Sequence, residues 1–298
     1  MATSIPHPHP AASTSAGEEP AAETRLPATA FRLSVALAVV AAAASALTLF
    51  LPDLLRGPDV MNGSARGTGL IVVFVTVPLL IAAMWATARG STLGLLVWLG
   101  AVAHVLYQSV LFLFATPSND LFLLYVAMCS LALWSIVALL VWLDPSEVRA
   151  RITPGLPAHP IAIYVWVVVG LNVVAWMGPI LRALADEGQP AFLVGTGMTT
   201  NPIYVQDLAF WLPLMAVGAW WLWHDRVWGY VVVGSMLATW LIEGVTVATD
   251  QWMGHSADPT SSVATIAGSW LFAALALIDV VPLVAFYRHV GAGRTKAA

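Results

Sequence analysis

Two polar residues inside apolar runs have the types and the spacing that could do chemistry in this chain. Glu243 lies within the apolar run 227–249, and Gln108 lies within the run 91–115. The two runs align without gaps at an offset of 135 residues, so Gln108 occupies the position equivalent to Glu243. A carboxylate inside a bilayer is costly and usually marks a site or an ion pair. We therefore expect a polar site that contains Glu243.

Glu243 belongs to a polar stripe along one helix face. The stripe consists of Ser235, Thr239, Glu243, Thr246 and Asp250, which recur at intervals of three or four residues. In the aligned run, His104 takes the position of Thr239, and Gln108 takes that of Glu243. Such a stripe is unfavourable against lipid tails, so we expect it to face protein or water.

A second carboxylate, Asp207, is expected at a similar depth. The dipeptide Asn201-Pro202 is typical of a helix start, with Asn as the cap and Pro as the first helical residue. Tyr204 and Asp207 then share one face of the helix. Asp207 would lie about 8 Å, and Glu243 about 9 Å, from the same membrane surface. Two carboxylates at one depth repel each other, which favours proton binding by one of them.

Three interpretations of this polar cluster stay open. The first is a structural network of hydrogen bonds that holds helices together. The second, which we prefer, is an outward-opening site that binds or transports a small amphipathic or cationic ligand. The third is an enzyme that modifies a lipid or sterol, with Glu243 and His104 as acid and base. The predicted ligand-binding residues are Glu243, Asp207, Gln108, His104, Tyr204, Thr239 and Asn172.

Metal, cofactor and nucleic-acid sites have little support in the sequence. No His-x-x-x-His or Glu-x-x-His pair occurs on a predicted helix, and Cys129 is the single cysteine. No basic patch suggests nucleic acid. We predict no metal and no cofactor, and expect the lipid bilayer and a small-molecule or lipid ligand as partners; the sequence leaves the oligomeric state open.

Composition places these residues in a membrane protein. The chain is 59% hydrophobic and 9% charged, whereas soluble domains carry about 25% charged residues. Eight runs could each cross a bilayer as a helix. They are 31–51, 68–88, 91–115, 120–143, 160–182, 202–224, 227–249 and 263–287. We predict an all-α integral membrane protein of about eight transmembrane helices.

Charge distribution predicts the orientation. Nine of the 12 Lys and Arg residues would lie on the side of the two chain termini. The positive-inside rule then puts both termini in the cytoplasm. An amino-acid composition that favours Ala, Val, Gly and Arg is typical of a bacterium, so the expected location is the plasma (inner) membrane.

An internal repeat would divide the chain into two parallel four-helix halves. The pairs Pro78/Pro213, Trp85/Trp220 and Gly94/Gly229 share the offset of 135 residues. Four helices per half give both halves the same orientation, with the pseudo-symmetry axis along the membrane normal. The predicted units are a disordered tail 1–30, a first half 31–145, a linker 146–158, a second half 159–288 and a tail 289–298. Gly67-Thr68-Gly69 is expected in the loop after the first helix.

The stretch from Asn201 to Leu208, with Leu212-Pro213 and Trp228-Gly229-Tyr230 after it, resembles an uncharacterised family of bacterial polytopic membrane proteins. Leu121 to Tyr125 adds to this resemblance, which covers most of 65–250. The resemblance implies a multi-helix bundle and brings no known activity.

A weaker resemblance is to the emopamil-binding and sterol-isomerase superfamily, whose members carry His-x-x-x-Glu-Gly in a membrane helix. The segment from Thr239 to Gly244 keeps the Glu-Gly but has Thr for His. The segment from His104 to Ser109 keeps the His but has Gln for Glu. This resemblance implies a pocket for a lipid or a sterol-like ligand.

Overall fold

The computed structural model describes residues 27–291, and eight long apolar helices dominate it. The spanning helices are α1 Ala28–Phe50, α2 Asp59–Ala88, α3 Thr92–Phe114, α4 Phe122–Trp142, α5 Ala158–Ala185, α6 Pro202–Trp223, α7 Val227–Ala257 and α8 Ile266–Tyr287. Each is long and apolar enough to cross a bilayer. The prediction of an all-α polytopic membrane protein is confirmed.

Helix α2 begins earlier than the sequence predicted. It starts at Asp59 and contains Gly67-Thr68-Gly69, so the loop expected for that tripeptide is wrong. The physical reason is close packing against α7: a Cβ on Gly67 would lie 2.8 Å from the Asp250 Cα atom. Small residues allow two helix backbones to approach this closely, and that packing outweighs the low helix propensity of glycine.

Helices α7 and α1 also extend beyond the predicted runs. Helix α7 continues to Ala257, eight residues beyond the predicted end at 249. Helix α1 begins at Ala28, so residues 28–30 of the predicted tail are helical. Residues 1–26 of that tail and residues 292–298 of the predicted C-terminal tail lie outside the described residues.

Two helices contain a π-helical turn at corresponding places. The π-helical segments are Val72–Thr76 in α2 and Asp207–Trp211 in α6, and the two lie 135 residues apart. Each precedes a proline, Pro78 or Pro213, which has no N–H for the regular helical bond. A π turn relieves that mismatch and often occurs at functional sites. The spacing of the two π-helical segments equals the predicted offset of 135 residues, although the repeat itself stays a prediction.

Helices α3 and α7 lie at the centre of the bundle. They are the most buried of the eight, and α7 packs against α2, α3, α6 and α8. Gly100 brings the backbones of α3 and α7 together, because a Cβ there would lie 2.5 Å from the Ser235 carbonyl oxygen. The central pair therefore carries the aligned polar faces that the sequence predicted.

The two ends of the bundle carry different ion pairs. We call the end that carries residues 27 and 291 the terminal side and the opposite end the distal side. On the terminal side, Arg149 of the short helix Pro145–Ala150 pairs with Asp225 at 3.0 Å. Hydrogen bonds from Tyr230 and Arg149 lower the pKa of Asp225. On the distal side, Arg56 pairs with Asp120 at 2.6 Å.

Candidate functional site

His104 is the centre of a buried polar cluster that joins α2, α3 and α7. Its Nδ1 atom lies 3.2 Å from Thr76 Oγ1, and its Nε2 atom lies 3.0 Å from Thr246 Oγ1. Glu243 Oε2 lies 3.4 Å from the same Nε2 atom. The His104 side chain is fully buried, whereas the Glu243 side chain is 18% exposed. Glu243 is thus the member that reaches an accessible surface.

Gln108 connects His104 to Glu243. Its Nε2 atom donates a short hydrogen bond to Glu243 Oε2 and lies 3.3 Å from His104 Nε2. The two positions that the sequence aligned at an offset of 135 are therefore in direct contact. The Gln108 Oε1 atom is buried without a hydrogen-bond partner. A buried, unpaired carbonyl is unfavourable, so the cluster has unused capacity to accept a hydrogen bond or to contact a cation.

The hydrogen-bond roles in the cluster allow two protonation arrangements. Thr246 donates its hydroxyl proton to the Ile242 carbonyl at 2.8 Å, which leaves its oxygen free to accept from His104 Nε2–H. With Nδ1 also protonated, His104 becomes a cation beside an ionised Glu243. With Nδ1 unprotonated, the proton can reside on Glu243 instead. The pair stays neutral in both arrangements by sharing one proton, which suits a low-dielectric environment.

Two further carboxylates extend the acidic character of this region. Asp207 begins the π turn of α6, is 8% exposed, and accepts a hydrogen bond from Trp176 Nε1 at 2.9 Å. Asp250 accepts from the Thr68 hydroxyl, with its two oxygens at 3.1 and 3.0 Å. The buried Tyr107 lies within electrostatic range of Asp207, Glu243 and Asp250. Across residues 27–291, no Lys or Arg forms an ion pair with these three carboxylates.

The remaining predicted site residues have other contacts. Thr239 joins the central helices by donating to the Gly100 carbonyl at 3.0 Å. Tyr204 packs on Trp176, with ring centroids 4.9 Å apart, and lines a surface groove of about 550 Å³. Asn172 donates to the Val168 carbonyl of its own helix at 2.9 Å. The structure thus joins Glu243, Gln108 and His104 directly, and places Tyr204 and Asn172 outside that cluster.

Thr76 and Trp176 each bond a predicted site residue but were absent from the predicted site. Thr76 carries the bond to His104 Nδ1, and its signal in the sequence was a hydroxyl two residues before Pro78. Trp176 holds Asp207, and nothing in the sequence separates it from the other tryptophans of this Trp-rich chain. In the part of the chain that the structure describes, no three His, Cys, Asp or Glu side chains are grouped to hold a metal ion.

The fold and the cluster together define a polytopic α-helical membrane protein with a polar, acidic centre between its helices. Comparison with protein-family models, with curated proteins and with solved structures finds no match for this chain. The two family resemblances in the sequence therefore gain no support from these comparisons.

Proposed function

We propose that the protein binds a small cationic or amphipathic cationic ligand at Glu243 and carries it across the membrane. The observation behind this proposal is the partly exposed Glu243 carboxylate, whose cluster includes no Lys or Arg among the described residues. Asp207 and Asp250 place two further carboxyl groups within electrostatic range of Glu243. A cation can replace the shared proton as the positive charge beside Glu243, and the unpaired Gln108 oxygen is an additional ligand atom.

The shared proton suggests how binding is coupled. When the cation arrives, the proton on the His104–Glu243 pair is no longer needed for neutrality and is released. The pair can take up a proton again when the cation leaves. Exchange of one proton for one monovalent cation moves no net charge across the bilayer. With both termini in the cytoplasm, as the positive-inside rule predicts, Glu243 lies in the outer half and the site loads from outside.

Native mass spectrometry of the protein released from its membranes tests the binding. The comparison is between the wild type, Glu243→Gln and Asp207→Asn. We expect a discrete copurifying mass in the wild type and its loss in Glu243→Gln, because the amide cannot balance a cation. Retention of that mass in both variants would contradict the proposal.

Flux measurements in liposomes test transport and its coupling. We expect uptake of the identified cation to drive an opposite proton movement, reported by a pH-sensitive dye inside the vesicles. Binding without flux would reduce the proposal to a binding protein.

A lipid-modifying enzyme is the second candidate, and one contact favours it. His104 and Glu243 come from two incomplete copies of a His-x-x-x-Glu stretch, yet their side chains lie 3.4 Å apart across α3 and α7. A histidine and a carboxylate at this distance can pass a proton to and from a substrate carbon. An enzyme predicts a chemically changed lipid in reconstituted vesicles, with no net flux.

A purely structural network predicts a third outcome. In that case Glu243→Leu prevents folding, Glu243→Gln restores it through the hydrogen bond to Gln108, and no ligand is found in any sample. The proposed site predicts instead that Glu243→Leu folds but does not bind. Expression level and monodispersity in detergent separate these two results.

A further inference from the structure

Helices α5 and α8 contact each other much less than α1 and α4 do, and the buried residues of α5 and α8 lie mainly in the halves near the terminal side. Tyr164 of α5 donates a hydrogen bond to the buried Asp279 of α8. One turn nearer the distal side, Leu275 lies on the same face of α8 as Asp279 and is 41% exposed. Two turns from Tyr164 along its face of α5, Leu171 is 64% exposed. The two helices therefore frame a gap that is closed at its terminal end and has apolar edges.

Polar and acidic residues lie on α5 and on the helices α6 and α7. Asn172 and Trp176 follow each other on one face of α5, and Trp176 holds Asp207 of α6. Glu243 on the neighbouring α7 is the partly exposed member of the His104 cluster. An apolar rim in front of carboxylates that lack a basic partner fits a molecule with an alkyl chain and a positive head group.

The corresponding gap in the first half is closed. Helix α1 packs along α4 through a face of small residues, and the Thr48 hydroxyl lies 2.7 Å from the Tyr125 hydroxyl. At the offset of 135 residues, Ala41 of that face corresponds to Trp176 and Leu37 corresponds to Asn172. The open side of the bundle is therefore the side that faces the acidic residues.

We propose that the gap between α5 and α8 is a lateral entrance, through which an amphipathic cation passes from the bilayer to Glu243 and Asp207, and that the alkyl chain of the bound cation stays in this gap. The inference rests on the proposed function and adds the class of ligand and its route. Charge complementarity favours a cation over an anionic phospholipid, because Glu243 and Asp207 have no Arg or Lys partner in residues 27–291.

The test compares two cations with the same head group. Binding of radiolabelled dodecyltrimethylammonium and of tetramethylammonium is measured in phosphatidylcholine nanodiscs, with protein-free nanodiscs as the background. Leu275→Trp places a bulky ring in the gap, and Leu277→Trp is the matched control on another face of α8, where residue 277 is 73% exposed. We expect Leu275→Trp to weaken dodecyltrimethylammonium binding about tenfold or more. Leu275→Trp should bind tetramethylammonium like the wild type. Leu277→Trp should bind both cations like the wild type.

The outcomes separate the entrance from the site. If Leu275→Trp binds dodecyltrimethylammonium like the wild type while Glu243→Gln loses it, the entrance is wrong and the proposed function stands. If the wild type binds neither cation, the proposed function itself fails. If native mass spectrometry shows that Leu275→Trp dissociates an oligomer, the gap is an interface between copies and the entrance is also wrong.

A chemical-protection measurement covers the case in which Leu275→Trp does not fold. In a Cys129→Ala background, Leu275→Cys and Leu277→Cys are labelled with a membrane-soluble maleimide. We expect dodecyltrimethylammonium to slow labelling at position 275 and to leave position 277 unaffected. Equal rates at position 275 with and without the cation would overturn the entrance.

Discussion

The first four helices and the last four helices use similar lengths of chain but close differently. Helix α1 packs against α4 through Ala, Ser and Thr side chains, so the first group forms a complete bundle. Helix α5 carries Asn172 and Trp176 on the corresponding face and meets α8 at the Tyr164–Asp279 bond. The comparison teaches that small residues seal a membrane bundle, whereas large polar and aromatic residues hold it open.

The largest effect is expected from placing a large residue on the small-residue face of α1, compared with placing a small residue on the corresponding face of α5. Ala41 is fully buried, so Ala41→Trp forces a ring between α1 and α4 and should lower the free energy of unfolding by about 3 kcal/mol. Trp176 is only half-buried, so Trp176→Ala should fold. Thermal unfolding in nanodiscs measures both. Equal melting temperatures for Ala41→Trp and the wild type would show that the first half is not sealed.

The next effect concerns the polar pair that the two halves share. Glu243→Gln should weaken cation binding by about 100-fold, or roughly 2.7 kcal/mol, because the charge is lost. The double variant Gln108→Glu/Glu243→Gln restores a carboxylate and its amide partner across α3 and α7. Gln108 is fully buried, so the transplanted charge does not reach the accessible surface. We expect a folded protein that still fails to bind, measured by radioligand titration.

Wild-type binding by the double variant would show that either half can present the carboxylate, and that the difference between the halves has no part in function. Its thermal stability is the control, because the exchanged pair should melt near the wild-type temperature. A much lower melting temperature would instead indicate that the cluster depends on the original orientation.

Removing one hydroxyl from each half is expected to have a smaller effect. Tyr125→Phe deletes the contact to Thr48, and Tyr164→Phe deletes the bond to Asp279. Each should cost about 1 kcal/mol. Hydrogen exchange should rise in α5 and α8 for Tyr164→Phe, because that bond is their main polar link. For Tyr125→Phe, hydrogen exchange in α1 and α4 should stay slow, because the small-residue packing between these two helices remains. Equal increases in both halves would contradict the difference in closure.

The smallest effect is expected at the Arg149–Asp225 pair, which ties the linker between the halves to the turn before α7. Hydrogen bonds from Tyr230 and Arg149 lower the pKa of Asp225 from its usual 3.8. Its stabilisation is therefore present above that value and is lost as the pH falls through the lower, folded-state pKa. The Asp225 side chain is 67% exposed, so solvent screening limits the contribution to about 0.5 kcal/mol or less.

Melting curves from pH 6 down to about pH 3 compare the wild type with Asp225→Asn. The variant should melt slightly lower at pH 6, and the difference should shrink towards the acidic end. A difference that grows as the pH falls would show that another group controls the acid behaviour of this side of the bundle.

The helices and part of the site could be predicted because their causes are local. Long apolar runs specify membrane helices, and three- and four-residue spacing specifies which polar residues share a face. The alignment also put Gln108 and Glu243 in one predicted site, and the structure places the two side chains in direct contact. Gly67-Thr68-Gly69 was misplaced because its helix depends on the distant Asp250 backbone.

The sequence by itself determined the class of protein, its eight spans and the polar stripe that includes Glu243. Tertiary structure decided which polar groups pair: Thr76 with His104, Trp176 with Asp207, and Tyr164 with Asp279. It also decided that the second half stays open. The physical reason is that hydrophobicity and periodicity act within one helix, whereas a hydrogen bond between helices depends on their depth, rotation and distance, which only packing sets.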